Sequence, residues 1–151
     1  GDRRQRQMCI RDRFIGAGSL VYNWTDKGKR EPMKKRLSDH DFTLVSPVFE
    51  NTIFEDFFNK LKTKHHVGRL RFMCMMPRKC LSWHVDYTPR VHFVLDSSEG
   101  NFMVIEDEVK HLPEFTSWIT DTTYNHTAFN ASMHPRVHIV GVLLDGYERK
   151  S

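Results

Sequence analysis

The stretch RVHFVL at residues 90–95 alternates polar and apolar side chains, and RVHIVGVLL at residues 136–144 begins with the same alternation. Successive side chains of a β-strand point to opposite faces, so this period of two predicts strands with a polar and an apolar face. The same period recurs from Arg69 onward, interrupted by prolines and by the turn-prone run SSEG at 97–100. We therefore predict seven strands, at Arg69–Met76, Leu81–His84, Arg90–Leu95, Asn101–Ile105, Phe115–Thr120, Thr127–Asn130 and Arg136–Leu144.

One helix is predicted ahead of these strands. Ser46 is suited to cap it, and Pro47 is suited to its first turn. Its apolar face consists of residues that recur at helical spacing, namely Phe49, Ile53, Phe54, Phe57 and Leu61. Seven short strands after one helix predict a mainly β fold, either a small antiparallel barrel or a jelly roll of two sheets, with one or two flanking helices.

The N-terminal part of the chain has a weaker pattern. We predict a strand at Ser19–Trp24 and a charged loop at Thr25–Arg36. Residues 1–13 hold five arginines and two aspartates, hence +3 of the net charge of +4, and have no apolar periodicity. We interpret them as a non-native or disordered segment and predict a single domain over residues 14–151. An arginine-rich arm that binds nucleic acid is the alternative, but the nearly neutral remainder of the chain argues against it.

Composition excludes several classes of protein. Apolar residues make up 39% of the chain and aromatic residues 12%, as in folded globular proteins. No run reaches the roughly 18 apolar residues of a membrane helix, and no secretory signal is evident, so we expect a cytoplasmic protein. The cysteines, Cys9, Cys74 and Cys80, form no regular framework. We expect reduced packing residues, with a pair of zinc thiolates as the alternative.

Three residues form a candidate metal site. His84 and Asp86 lie two residues apart, so on a strand both side chains would point the same way, and His126 follows forty residues later. A histidine from a strand across the barrel would complete a face of two nitrogens and one oxygen, which leaves adjacent coordination positions open. Non-haem Fe(II) oxygenases need such open positions. Zinc would bind the same atoms, so the ligands alone leave the metal undecided.

Polar residues on otherwise apolar strands strengthen this hypothesis. Arg90 and His92 share one face of their strand, and Arg136 and His138 share one face of another. A guanidinium buried inside a barrel costs several kcal/mol unless an anion meets it. A dicarboxylate bound at the metal would be such an anion, because arginine binds a carboxylate with two parallel hydrogen bonds.

The segment from Met73 to Leu144 resembles the aspartyl/asparaginyl β-hydroxylase family of Fe(II)/2-oxoglutarate-dependent oxygenases. The motifs that carry the resemblance are Pro77, HVD at 84–86, RVH at 90–92, Asp121 ahead of NHT at 125–127, and Arg136. The most specific feature is His126 followed ten residues later by Arg136. The resemblance implies a double-stranded β-helix, which is a cupin-like jelly roll, together with dependence on Fe(II) and 2-oxoglutarate.

The resemblance also implies roles for individual residues. His84, Asp86 and His126 would be the metal-binding and catalytic residues. Arg136 would bind the far carboxylate of 2-oxoglutarate, and Arg90 and His92 the carboxylate nearer the metal. Molecular oxygen and a small-molecule or peptide substrate, of the aspartyl/asparaginyl type or another amino acid, would be the partners. A serine that assists the far carboxylate in some relatives is replaced here by Met73.

Other readings of the same residues remain open. A cupin-like metal protein or dioxygenase that does not use 2-oxoglutarate would need the three ligands but not Arg136. The alternative role for Arg136 is structural, as an ion-pair partner of Asp121. A non-catalytic binding module would need none of them. His138 is either a core histidine or a site residue, and Trp83 and Trp118 either pack in the core or line a substrate pocket.

Overall fold

The computed structural model describes residues 22–24, 30–32 and 38–145. The segment at 1–13 and the start of the strand predicted at Ser19–Trp24 lie outside the described residues. Helix α1 spans Ile53–Lys62, and two 3₁₀ turns span Asp39–Asp41 and Pro47–Phe49. The strands are β1 (Tyr22–Trp24), β2 (Arg30–Pro32), β3 (Val67–Met75), β4 (Lys79–Cys80), β5 (Arg90–Asp96), β6 (Asn101–Ile105), β7 (Glu108–Lys110), β8 (Ser117–Thr120), β9 (His126–Asn130) and β10 (Arg136–Leu143).

Two antiparallel sheets of four strands form the body of the fold. The helix-covered sheet has the order β3-β10-β5-β8, and the second sheet has the order β4-β9-β6-β7. Strands β1 and β2 form a separate hairpin. Apart from the consecutive strands β6 and β7, neighbouring strands are distant in the chain: β10 pairs with β3 and β5, and β9 pairs with β4 and β6. The predicted mainly β fold of two sheets and a flanking helix is confirmed.

Strand β5 separates two apolar cores, as its alternation predicts. Val91 faces α1, where Phe58 is fully buried and Leu61 nearly so. Val94 lies in the second core, between the sheets, with Met103 of the second sheet. Arg90 and His92 share the face of Val94, so the polar residues of this strand point between the sheets.

Helix α1 begins later than predicted. Thr52 is its N-cap, and the Thr52 hydroxyl accepts a hydrogen bond from the backbone N–H of Phe54 at 3.3 Å. Ser46 and Pro47 begin a separate 3₁₀ turn instead. Asn51, with a φ of 59°, turns the backbone out of the helical path between the two segments.

Several strand predictions are wrong in detail. The strand predicted at Leu81–His84 is replaced by β4 at Lys79–Cys80 and an irregular segment after it. Strand β8 begins at Ser117 because Phe115, with a φ of 59°, lies in a turn. Strand β7 was not predicted, and β2 lies within the predicted loop at Thr25–Arg36.

The cysteines agree only partly with expectation. Cys74 and Cys80 are both free thiols. Cys74 is half-buried, whereas Cys80 is exposed and is not a packing residue. Cys9 lies outside the described residues. Within the described part of the chain, no helix has the length and apolar character needed to cross a membrane.

Candidate active site

The structure brings His84, Asp86 and His126 together at one end of the space between the sheets. One ligand atom from each lies within 4.8 Å of the other two. The imidazole rings of His84 and His126 are 4.3 Å apart between centroids, and Nε2 of His126 is 3.6 Å from a carboxylate oxygen of Asp86. His126 is buried, whereas His84 is the most accessible of the three. Two nitrogens and one carboxylate oxygen therefore face a common point that is open on one side.

In both His84 and His126 a hydrogen bond from Nδ1 fixes the ring and leaves Nε2 available to a metal. The Nδ1–H of His84 donates to the carbonyl of Ser82 at 2.7 Å, and the Nδ1–H of His126 donates to the carbonyl of Tyr124 at 2.9 Å. A carbonyl can only accept, so Nδ1 carries the proton in each ring and Nε2 keeps its lone pair. Metal-binding histidines are oriented in this way by their other nitrogen. The donor set therefore fits a divalent metal such as iron or zinc.

A local backbone pairing, and not a regular strand, positions the ligands. The N–H of His84 donates to the carbonyl of His126 at 3.1 Å, and the N–H of His126 donates to the carbonyl of His84 at 3.0 Å. Two residues later, the N–H of Asp86 donates to the carbonyl of Thr122 at 2.8 Å. These hydrogen bonds thus attach the irregular segment that carries His84 and Asp86 to Thr122, just before β9, and to His126, the first residue of β9.

Arg90 is an ion-pair partner of the ligand carboxylate. Its guanidinium lies 3.1 Å from Asp86 and donates to the hydroxyl of Thr88 at 3.1 Å and the carbonyl of Thr88 at 3.2 Å. The hydroxyl and carbonyl oxygens of Thr88 thus hold the Arg90 guanidinium beside Asp86. Because Asp86 uses its other oxygen towards His126, this ion pair orients the carboxylate.

His92 and His138 form a buried pair deeper between the sheets. Their Nδ1 atoms are 3.1 Å apart, and their rings meet edge to face. Burial, followed by the positive charges of Arg136 and Arg90, lowers the pKa of His92 to about 3. Burial, followed by the charge of Arg136, lowers the pKa of His138 to about 2. The rings of His92 and His138 are both neutral at neutral pH, so the positive charge between the sheets is carried by Arg90 and Arg136.

This buried pair predicts acid sensitivity of the metal-free protein. The unfolded chain takes up protons near pH 6.5 whereas the folded pair does not, so stability is complete above pH 6.5 and falls as the pH drops towards 3. We expect each histidine to cost roughly 1 kcal/mol of unfolding free energy between pH 6 and pH 5. Urea unfolding at several pH values measures this slope. The dependence of unfolding free energy on pH should be weaker in a His92→Gln/His138→Gln variant but unchanged when exposed His134 is replaced by glutamine. An equal dependence in wild type and both variants would contradict the assignment of acid sensitivity to His92 and His138.

Arg136 is buried, with 6% of its surface exposed, and forms no ion pair with any described residue. Burial lowers the pKa of Arg136 to about 10, which leaves it charged. Its Nε, Nε2 of His138, Oδ1 of Asn101 and Oγ of Ser97 are buried without hydrogen-bond partners. All four residues line one small void, which is too tight for a water molecule. Buried polar atoms are seldom unpaired. The guanidinium, the Ser97 hydroxyl and a protonated Nε2 of His138 could each donate to an anion if this void were wider, whereas Oδ1 of Asn101 can only accept.

Sequence reasoning missed Ser97 and Asn101. The run SSEG at 97–100 was read only as a turn, and Asn101 only as the start of a strand. The alternation of β6 is the one available signal. It places Asn101 on the same strand face as Met103, which lies in the core between the sheets, and so indicates that Asn101 also points between the sheets. The amide nitrogen of Asn101 donates to the carbonyl of Ser98 at 3.0 Å, whereas its amide oxygen is buried without a hydrogen-bond partner.

A cavity of about 330 Å³ lies between β7 and β8. Its lining includes Ile105, which pairs with His126, and Thr120, which pairs with Arg90, so the cavity lies beside His126 and Arg90. Trp118 forms part of its wall and also packs against the core between the sheets. Trp83 is 53% exposed. Of the two tryptophans, Trp118 is therefore the one placed to contact a molecule in this cavity.

Comparison with solved structures adds support for the fold. The chain is similar to an oxidoreductase of the 2OG-Fe(II) oxygenase family from Burkholderia pseudomallei, with a TM-score of 0.51, 14% identity, and coverage of 91% of this chain and 69% of the other. It is less similar to a cupin domain from Bordetella pertussis Tohama I, with a TM-score of 0.44, 12% identity, and coverage of 53% and 84%. No curated protein matches the chain.

The sequence itself matches a family model. The model describes the aspartyl/asparaginyl beta-hydroxylases, and it matches residues 50–144, from just before α1 to the end of β10. This range includes both sheets, the candidate metal ligands and Arg136. With its jelly-roll fold and converging histidines and aspartate, the chain belongs to the aspartyl/asparaginyl β-hydroxylase family.

Proposed function

We propose that this protein is an Fe(II)- and 2-oxoglutarate-dependent oxygenase that hydroxylates an amino-acid substrate, either free or within a peptide. The observation that carries the proposal is the convergence of His84, Asp86 and His126 with both Nε2 atoms free to bind a metal. Family membership, and the similarity of fold to an oxygenase-family structure, support the same assignment.

The cofactor roles follow from the donor atoms. His84, Asp86 and His126 would hold iron through two nitrogens and one oxygen, on a face that leaves room for other ligands. Bound iron would supply the oxygen chemistry, in which one oxygen atom enters the substrate C–H bond and the other enters succinate as 2-oxoglutarate loses carbon dioxide. The protein's own residues bind and orient the reactants and keep water away from them.

The far carboxylate of 2-oxoglutarate would bind at Arg136. Three of the four unpaired polar groups there can donate: the guanidinium, the Ser97 hydroxyl and Nε2 of His138 when it carries the proton. Some relatives use a serine at the position of Met73, which pairs with His138 in the adjacent strand. In this chain Ser97, from the loop between β5 and β6, would supply the hydroxyl instead.

Arg90 and His92 remain our candidates for the carboxylate nearer the metal. Arg90 is already paired with Asp86, so it would orient the metal ligand and attract the cosubstrate with one charge. His92 is neutral because of burial and its positive neighbours, so it would contribute a hydrogen bond and no charge. The substrate would approach through the cavity beside Trp118. We place the reaction in the cytoplasm.

Anaerobic titration with Fe(II) and 2-oxoglutarate tests the proposal. We expect a visible charge-transfer band only when both are present, because the band requires 2-oxoglutarate bound to the iron. Zn(II) is the matched control, since it binds the same ligands without giving the band. After oxygen is admitted, succinate should be released.

The second candidate is a cupin-like metal protein or dioxygenase without 2-oxoglutarate. The exposed side of the three ligands is compatible with it, since any metal-dependent reaction needs open positions. It predicts iron binding that 2-oxoglutarate does not alter, and no succinate. That outcome would overturn our assignment.

A further inference from the structure

A groove on the outside of the helix-covered sheet has no role in the proposed reaction. It lies between α1 and strands β5 and β8 and encloses about 670 Å³. Its floor is apolar and includes Phe57 from the helix, Phe93 from β5 and Ile119 from β8. Phe57 and Phe93 contact edge to face, with ring centroids 4.8 Å apart. These side chains are only half-buried, so the groove exposes apolar surface to solvent.

Basic side chains line one side of this apolar floor. Lys60, Lys64 and His65 line the groove, and no acidic residue of the described part of the chain does. Neither lysine forms an ion pair with any residue that the structure describes. The acidic residues of the helix, Glu55 and Asp56, lie in its first turn, whereas both lysines lie at or beyond its last turn. Two free ammonium groups therefore face an open apolar surface.

We propose that this groove binds a small amphiphilic acid, with an aliphatic or aromatic body on the phenylalanine floor and its acidic group at Lys60 and Lys64. A concave site of this volume is in the range of small-molecule sites, which is roughly 300–1,000 Å³. A flat protein interface would need a much larger surface, on the order of 800 Å² per partner. None of the three candidate metal ligands lines the groove, although Trp118 and Ile119 line both the groove and the cavity between β7 and β8. The inference does not use the metal site, so it does not depend on the proposed function.

The test uses 8-anilinonaphthalene-1-sulfonate, an aromatic anion whose fluorescence rises in apolar sites, with metal-free protein. We expect saturable binding at one site that weakens roughly fivefold to tenfold in Lys60→Gln/Lys64→Gln, since each exposed charge contributes modestly, and weakens at high salt. Lys62→Gln is the matched control. Lys62 is in the same last turn but lies over the Phe58 ring and does not line the groove, so its replacement should leave binding unchanged.

Further probes separate the groove from other sites. The uncharged analogue N-phenyl-1-naphthylamine should bind wild type and the double variant equally, and decanoate should displace the fluorescent anion better than 1-decanol. Replacing Lys79, an exposed lysine of β4 that does not line the groove, with glutamine should have no effect. Binding that is unchanged in the double variant, equally reduced by Lys62→Gln, or lost with Lys79→Gln would overturn the proposal.

Discussion

We expect replacement of Asp86 or His126 with alanine to abolish the proposed iron-dependent consumption of 2-oxoglutarate. Each residue supplies one of three donor atoms that converge within 4.8 Å, and two remaining donors cannot hold the metal in the same geometry. Loss of a residue that merely orients a ligand costs roughly 10- to 100-fold in metal affinity or activity, so loss of a ligand should cost at least about 100-fold. Iron titration and succinate release measure the two effects separately.

Exposed residues of the same types serve as controls. His134→Ala and Asp107→Ala remove an imidazole and a carboxylate from exposed positions away from the three ligands, and both variants should behave as wild type. Far-UV circular dichroism should be unchanged in all four variants. Turnover near the wild-type rate in Asp86→Ala or His126→Ala would remove the metal-site assignment.

We expect replacement of Arg136 with alanine to raise the 2-oxoglutarate concentration required for half-saturation by one to two orders of magnitude. The guanidinium is buried and has no acidic partner among the described residues, so the cosubstrate would supply its missing anion. A charged hydrogen bond contributes about 1.5–3 kcal/mol, which corresponds to this range. Arg136→Lys should recover only part of the loss, because lysine keeps the charge but not the paired geometry. The charge-transfer band measures binding without turnover.

Stability measurements give Arg136 an independent test. A buried cation without a partner is costly, so the metal-free Arg136→Met variant should unfold at the same temperature as wild type or higher. Added 2-oxoglutarate with metal should stabilise wild type but not the variant. If Arg136 were a structural ion-pair partner, for instance of Asp121, the variant would be less stable and its requirement for 2-oxoglutarate unchanged.

The strand alternation could be read from sequence because it is a local property. RVHFVL places Val91 towards α1 and His92 between the sheets, as the period of two requires. The ranges of β6 and, within two residues, of β3, β5, β9 and β10 agree with those predicted. Errors arose where backbone geometry departs from the regular pattern, at Asn51 before α1 and at Phe115 before β8. Positive φ values at such residues are rare, and composition alone does not reveal them.

The three candidate ligands are also predictable from the sequence, but their convergence has a different cause from the predicted one. A strand through His84 and Asp86 would direct both side chains alike. Instead they lie on an irregular segment that backbone hydrogen bonds attach to Thr122 and His126. The spacing in the chain indicates which residues are candidates, and pairing across the fold places them together.

The fold class, the presence of one helix and the residue types of the candidate site are predictable from the sequence, because periodicity and motif spacing can be read along the chain. The contacts that those side chains make depend on the tertiary structure. Arg90 pairs with Asp86, His92 with His138, and Ser97 joins Arg136 around one void. These contacts join residues whose approach depends on how the two sheets pack, and a charge or hydrogen bond acts over a few ångströms of space regardless of separation along the chain.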